Sequence, residues 1–284
     1  MHGTRLFVAT VLAMLAFAGN SLLCRAALQG TGIDAASFTT LRLMSGALML
    51  WLLAAVRRNP GTGNGNWGSA LALFAYAAGF SFAYLGLTAA TGALLLFGAV
   101  QVTMIGHGIL CGERPGRIAL GGVLLACGGL VILLLPGLSM PPLYNSLLML
   151  LAGVAWGVYS LRGRGAGDPL RVTAGNFLRT VPVALLFSIL LLEHVVPDPA
   201  GAGYALASGA LASGLGYAVW YTVLPELKAT QAATVQLSVP VIAAAGGVVL
   251  LGEPLGMRLL LAAVAILGGI ALVIGAKIHH EGSR

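Results

Sequence analysis

The sequence predicts an all-α membrane protein of ten transmembrane helices, arranged as two inverted five-helix repeats around a central cavity. Three observations carry that expectation. Of 284 residues, 58% are hydrophobic and 8% are charged, and the mean hydropathy is +0.96, whereas a soluble domain carries about 25% charged residues. The apolar residues fall into ten stretches of spanning length. The second half of the chain repeats the landmarks of the first at a nearly constant offset.

A helix needs roughly 20 apolar residues to cross the hydrocarbon core. The stretches lie at about 6–28, 34–56, 67–87, 91–111, 117–136, 143–161, 170–192, 203–224, 229–251 and 255–276. Turn and breaker residues separate them, at Asn59-Pro60-Gly61, Pro136-Gly137, Pro141-Pro142, Asp168-Pro169 and Pro197-Asp198-Pro199. The 41 glycines suit helices that approach closely within a membrane. Arg5, an apolar run and Ala16-Phe17-Ala18 resemble a cleavable signal, but the repeat requires this segment to stay as the first helix.

Basic residues set the orientation. With the N-terminus inside, eleven fall on the cytoplasmic side: Arg5, Arg57, Arg58, Arg114, Arg117, Arg162, Arg164, Arg171, Lys228, Lys277 and Arg284. Only Arg25 and Arg258 fall outside, and Arg42 and Arg179 lie within spans. Short loops rich in Lys and Arg stay in the cytoplasm, so both termini are expected there, in a bacterial-type inner (plasma) membrane. The net charge of +7 is spread singly and in pairs between apolar runs, not gathered as a nucleic-acid footprint requires. Cys24, Cys111 and Cys127 are too few and too widely spaced for a disulfide framework or a zinc site.

The repeat shows at two offsets. At 137 residues, Arg25 meets Arg162, Leu41-Arg42 meets Leu178-Arg179, Gly79 meets Gly216 and Tyr84 meets Tyr221. At 140 residues, Gly112-Glu113 meets Gly252-Glu253 and Gly128-Gly129 meets Gly268-Gly269. The change is a three-residue insertion around 225–230, which a connection tolerates. An odd number of spans per repeat inverts the second copy, so 1–137 and 138–284 form oppositely inserted halves, the architecture alternating access uses.

The two Gly-Glu steps before the last span of each half resemble the drug/metabolite transporter superfamily, in particular its EamA-type ten-helix exporters. So do Gly19-Asn20 and Trp156-Gly157, Arg42 and Arg179, and Ser238-Val239-Pro240. The resemblance covers essentially the whole chain. It implies a secondary transporter of small metabolites, most often amino acids and in some members aromatic ones, with spans 1, 3, 4, 6, 8 and 9 around the cavity and spans 5 and 10 at the periphery. Pro240, thirteen residues before Glu253, marks an expected helix break. Val100 stands in its place in the first half, and spans 1 and 6 contain no acid, which argues against carboxylate-based proton coupling.

Aromatic residues recur every four positions as Tyr76, Phe80 and Tyr84 on span 3, and as Tyr217 and Tyr221 with Trp220 beside them on span 8. That spacing places each set on one helix face. Phe80 and Tyr84 are the repeat counterparts of Tyr217 and Tyr221, so the two faces together suit a cavity that stacks planar side chains. Asn20, Gln101, Gln236 and His107 are polar groups inside apolar spans and are expected to face the bundle or a wet cavity. With Trp156 they complete the candidate set; His107 is also the one histidine within a span, hence a candidate for proton titration. Arg42 and Arg179 are expected to snorkel or to pair with carbonyls, the alternative being attraction of a substrate carboxylate. Glu113 and Glu253, at helix junctions, suit capping or interhelical pairing. Gly121, Gly122, Gly128 and Gly129 with Gly268 and Gly269 suit close packing of spans 5 and 10, or of protomers.

Rival functions have weaker support. A drug or multidrug exporter of the same fold is the nearest. A membrane-embedded enzyme would require a nucleophile or metal motif, and no His-Glu-x-x-His, Gly-x-Ser-x-Gly or phosphate-binding loop occurs. A channel would require charge rings or a repeated filter. The expected partners are a small-molecule substrate and the lipid bilayer, with no cofactor, metal or nucleic acid; composition does not set the oligomeric state.

Overall fold

The computed structural model describes residues 3–57, 61–112, 116–135, 141–163, 167–227 and 235–281, and every regular element among them is helical. The first seven helices are α1 (Gly3–Gly30), α2 (Ala35–Val56), α3 (Trp67–Tyr84), α4 (Ala89–Leu110), α5 (Arg117–Leu134), α6 (Leu143–Gly163) and α7 (Pro169–Leu190). Next, α8 (Pro199–Ala207) passes through π-helical turns (Ser208–Leu215) into α9 (Gly216–Val223). Both junctions keep helical torsions, φ −63° and ψ −43° at Ala207 and φ −56° and ψ −45° at Gly216, so these three segments form one rod. The last two helices are α10 (Ser238–Leu251) and α11 (Met257–Glu281).

Six helices among the described residues, α1, α2, α4, α5, α6 and α7, are long and apolar enough to cross a membrane. Large apolar side chains such as Phe7, Leu48, Leu124, Leu151 and Val249 stand exposed along the helices, as expected where lipid replaces water.

Helix starts follow the local chemistry of the loops. Asp34 accepts from the N–H groups of Ala36 and Ser37, Asn66 from Ser69, Thr88 from Thr91, and Asp168 from Leu170 and Arg171. Each satisfies donors that a first helical turn leaves unpaired. Pro169 and Pro199 occupy first-turn positions, where a missing N–H costs nothing. Asp198 caps α8 by accepting from Gly201 N–H, and two caps also tie loops together, since Val196 N–H donates to Asp34 and Gly32 N–H donates to Asp198. Partial burial pushes the Asp34 carboxyl up, but the N–H groups of Ser37, Val196 and Ala36 outweigh it and leave the group below the usual range. The Gly201 and Gly32 N–H groups lower Asp198 likewise.

In the packing, α2 lies against α7, α5 against α11, and α4 against α10. Helix α3 packs on α6, as the α8–α9 rod packs on α1; α4 packs on α6, as α10 packs on α1. By the sequence offsets, each of these pairs either joins counterparts or has a counterpart pair.

Glycine decides the closest approaches. A Cβ at Gly122 would stand 2.5 Å from the Gly269 carbonyl oxygen, and one at Gly269 would stand 2.5 Å from that of Gly122. Gly129 likewise meets Ala265 and Ile266, whereas Gly121, Gly128 and Gly268 face open space. The glycine pairs thus divide into a contact face between α5 and α11 and an outward one.

Element ends differ modestly from expectation. The third helix stops at Tyr84, and the rod expected over 203–224 begins at Pro199, where Asp198 and Pro199 start it. Glu113, Arg58, Arg114, Arg164, Lys228, Arg284, Asn59-Pro60 and Pro136-Gly137 lie outside the described residues, as does the side chain of Lys277.

Candidate functional site

Helices from both halves of the chain meet around a small central cavity of about 30 Å³, room for one or two waters. α1 contributes Phe17, Asn20 and Ser21, α3 contributes Tyr76 and Phe80, and α4 contributes Leu96 and Phe97. From the second half come Trp156 on α6, Ala212 in the π-helical turns, Tyr217 on α9, and Gln236 just ahead of α10.

The aromatic rings form a continuous wall. Ring centroids are 4.7 Å apart for Tyr76 and Trp156, 5.3 Å for Trp156 and Tyr217, and 5.5 Å for Tyr76 and Phe80. Phe17 extends the wall, 5.8 Å from Tyr217. Such contacts favour planar or apolar groups between them, and the rings must part before a metabolite can enter.

One polar chain crosses this wall. Asn20 Nδ2 donates to the Tyr76 hydroxyl (3.3 Å), and Asn20 Oδ1 accepts from the Ser208 hydroxyl (2.5 Å). Arg42 Nη2 donates to the same Tyr76 oxygen (2.9 Å). The Arg42 guanidinium lies 4.8 Å from the Phe80 ring centre and 5.3 Å from that of Tyr76. Arg42 is 2% exposed, and among the described residues its Nε and Nη1 have no hydrogen-bond partner. It therefore neither snorkels nor pairs with carbonyls: α2 is enclosed by α7, α3 and the π-helical turns at this level.

The two ends of the bundle are tied differently. At one end, Arg25 Nε bonds Glu253 Oε1 at 2.8 Å and Arg25 Nη1 donates to the Tyr84 carbonyl. Glu253 Oε2 in turn accepts from Ala89 N–H at 2.8 Å, capping the start of α4. Gly252, in the left-handed region at φ +65°, ends α10 and delivers Glu253 to that position. At the opposite end of α3, Arg162 donates to Asn66 and Ser69, and Arg57 pairs with Asp168 at 2.8 Å. Arg179 donates to the carbonyls of Asn64 and Gly175, the carbonyl pairing expected of it.

Of the residues singled out from the sequence, the structure brings together Asn20, Tyr76, Phe80, Trp156, Tyr217 and Gln236. Tyr84 and Trp220 are buried behind the wall, Tyr84 edge-on to Phe80 and Trp220 against Phe17. Tyr221 stacks on the outer side of Tyr217, with centroids 6.3 Å apart. Gln101 is buried one turn beyond Phe97. His107 corrects an expectation: it is exposed, 3.7 Å from the Cys111 sulfur and one turn from the end of α4, where a polar ring need not face the bundle. Pro240 sits in the first turn of α10, after a turn at Leu237, whereas α4 runs unbroken through Val100.

Phe17, Phe97, Ser208 and Ala212 were not anticipated. Phe17 lies one turn before Asn20 and Phe97 one turn before Gln101, a spacing that could have found both. Ser208 and Ala212 reach the centre through a π-helical register that hydrophobic periodicity does not report.

The EamA-like transporter family matches residues 144–275. The chain is also 62% identical over 279 residues to an uncharacterized protein of Pseudomonas aeruginosa, covering 98% of this chain and 97% of that one. Residues 144–275 therefore carry an EamA-like transporter family domain. It is 25% identical over 173 residues to an uncharacterized transporter of Archaeoglobus fulgidus, covering 57% of this chain and 59% of that protein. To the uncharacterized transporter YoaV of Bacillus subtilis it is 26% identical over 183 residues, covering 60% and 61%. A solved crystal structure with 20% sequence identity superposes over 95% of this chain and 97% of its own with a TM-score of 0.65, which shows a shared fold. The protein is thus a multi-pass membrane transporter of the drug/metabolite superfamily. Its EamA-like match contains Trp156, Tyr217 and Gln236; Asn20, Tyr76 and Phe80 come from the half before it.

Proposed function

We propose that this EamA-like transporter exports, or lets diffuse across the inner membrane, small metabolites, above all amino acids and among them aromatic ones, by alternating access. The two halves, 1–137 and 138–284, act as inverted five-helix repeats around the central cavity. The observation that carries this reading is the aromatic wall itself. Its rings come from both halves, so rocking one half against the other opens the same wall to either side.

The end ties fit the cycle. With both termini cytoplasmic, the Arg25–Glu253 pair closes the outer end, and the ties of Arg162 and Arg179 lie at the inner end. In the sequence repeat Arg162 holds the place of Arg25, so the cycle exchanges the outer tie of Arg25 for the inner ties of Arg162 to Asn66 and Ser69. No acid lies in the interior of a span, Asp34 standing at the very start of the second, which supports movement down the substrate gradient without a membrane carboxylate as proton carrier.

Proteoliposomes preloaded with a labelled amino-acid mixture test this reading, with and without a pH gradient. Release faster than from protein-free vesicles, with aromatic amino acids leading and the gradient without effect, is the expected result. Release no faster than from empty vesicles defeats it.

A further inference from the structure

Arg42 is the one arginine described whose guanidinium is both enclosed and short of acceptors. It is 2% exposed, its Nε and Nη1 lack partners among the described residues, and the ion pairs described there, Arg25–Glu253 and Arg57–Asp168, do not include it. A buried cation normally has an anion or a set of carbonyls around it, because desolvating its charge is costly. Here the faces of Phe80 and Tyr76 temper the charge, but ring faces leave its remaining N–H groups unused. Both rings also line the central cavity, and the Tyr76 hydroxyl links Arg42 to Asn20 on the cavity wall.

The geometry points to Arg42 as the anchor for the negative charge of the transported molecule. The site takes a small carboxylate whose acid group displaces the Tyr76 hydroxyl or reaches past it to the free nitrogens, while its apolar portion lies among Trp156, Tyr217 and Phe17. The same cation repels a positively charged amphiphile, which separates carboxylate metabolites from cationic drugs as cargo. This assignment rests on the central cavity being the transport site, and it adds the charge of the ligand to that reading.

The test compares 3-phenylpropionate with 3-phenylpropionamide, which differ in charge and little in shape, using the full chain in detergent and in proteoliposomes. The acid is expected to raise the melting temperature and the amide to leave it unchanged. Arg42→Gln is expected to weaken acid binding at least tenfold, and Arg42→Lys to retain part of it. Equal stabilisation by acid and amide, no stabilisation by either, or wild-type acid affinity in folded Arg42→Gln overturns the assignment. If Arg42→Gln does not fold, the acid–amide comparison on the wild type decides alone. Flux separates the two readings. Acid that binds at Arg42 but is not moved keeps the anchor and defeats transport of carboxylates, whereas amide moved as fast as acid keeps the transporter and defeats the anchor.

Discussion

Arg42 and Arg179 stand at the same place in the two halves of the sequence, 137 residues apart, and their surroundings are opposite. Arg179 is half exposed and donates to the carbonyls of Asn64 and Gly175 at one end of the bundle. The segment before α3 reaches it because Gly175 has no side chain; a Cβ there would collide with the Asn64 carbonyl oxygen. Arg42 has the π-helical turns against α2 instead. Gly209 lies so close that its Cβ would meet the Ser45 hydroxyl and the Arg42 carbonyl, and the guanidinium is turned inward to the aromatic wall. A repeated residue therefore holds a repeated position in the chain, while the neighbouring backbone decides whether its charge is spent on a loop or left for a ligand.

The largest effect should separate these two arginines. Arg42→Gln is expected to reduce carboxylate flux per folded molecule at least tenfold. Arg179→Gln is expected to change flux by less than about twofold and to lower the melting temperature, as loss of two hydrogen bonds of about 1 kcal/mol each would do. Equal flux losses in the two variants would erase the distinction.

Next come the aromatic residues in front of the wall and behind it. Trp156→Ala and Tyr217→Ala should cut flux severalfold in protein that still inserts. Tyr84→Ala should cost stability first, about 3–5 kcal/mol by comparison with soluble cores, because its ring fills the space against Gly92 and does not line the cavity. Flux per folded molecule and thermal stability, measured together on all three, check this order.

Smaller again is the contrast between glycines. Gly122→Ala should destabilise by about 1–3 kcal/mol through overpacking, and Gly121→Ala, facing open space, by no more than about 0.5 kcal/mol. Thermal melts of the two variants suffice.

The smallest effect is that of pH on the loop tie at Asp198. Its carboxyl is lowered in the folded protein by the Gly201 and Gly32 N–H groups. The stability it contributes is therefore present above the ordinary carboxylate pKa of about 3.9 and is lost as pH falls through the lower folded value. Asp198→Asn should flatten the acid limb of the melting curve slightly and leave neutral pH almost unchanged.

Much of the architecture was legible because apolar length and turn residues are local signals. The capping residues Asp168 and Asp198 stand where the breaker clusters place them, and span length picked out the six described helices that are long and apolar enough to cross a membrane. The site was legible where helical spacing applies, as for Tyr76 and Phe80 on α3. It was not legible at Ser208 and Ala212, because a π-helical register shifts which side chains share a face. Nor could spacing tell Tyr84 from Phe80: both lie on the same face of α3, and only the backbone of α4 at Gly92 turns one of them into packing. His107 deceived because membership of an apolar run does not tell how near the helix end a residue lies.

The most direct measurement is counterflow in proteoliposomes, with unlabelled amino acids trapped inside and the labelled mixture outside. An alternating-access carrier whose cavity is shared by both halves should accumulate label transiently above its equilibrium level, and Tyr217→Ala should lower and delay the overshoot. Entry of label without an overshoot, or no faster than into protein-free vesicles, would contradict a carrier of amino acids built around this cavity.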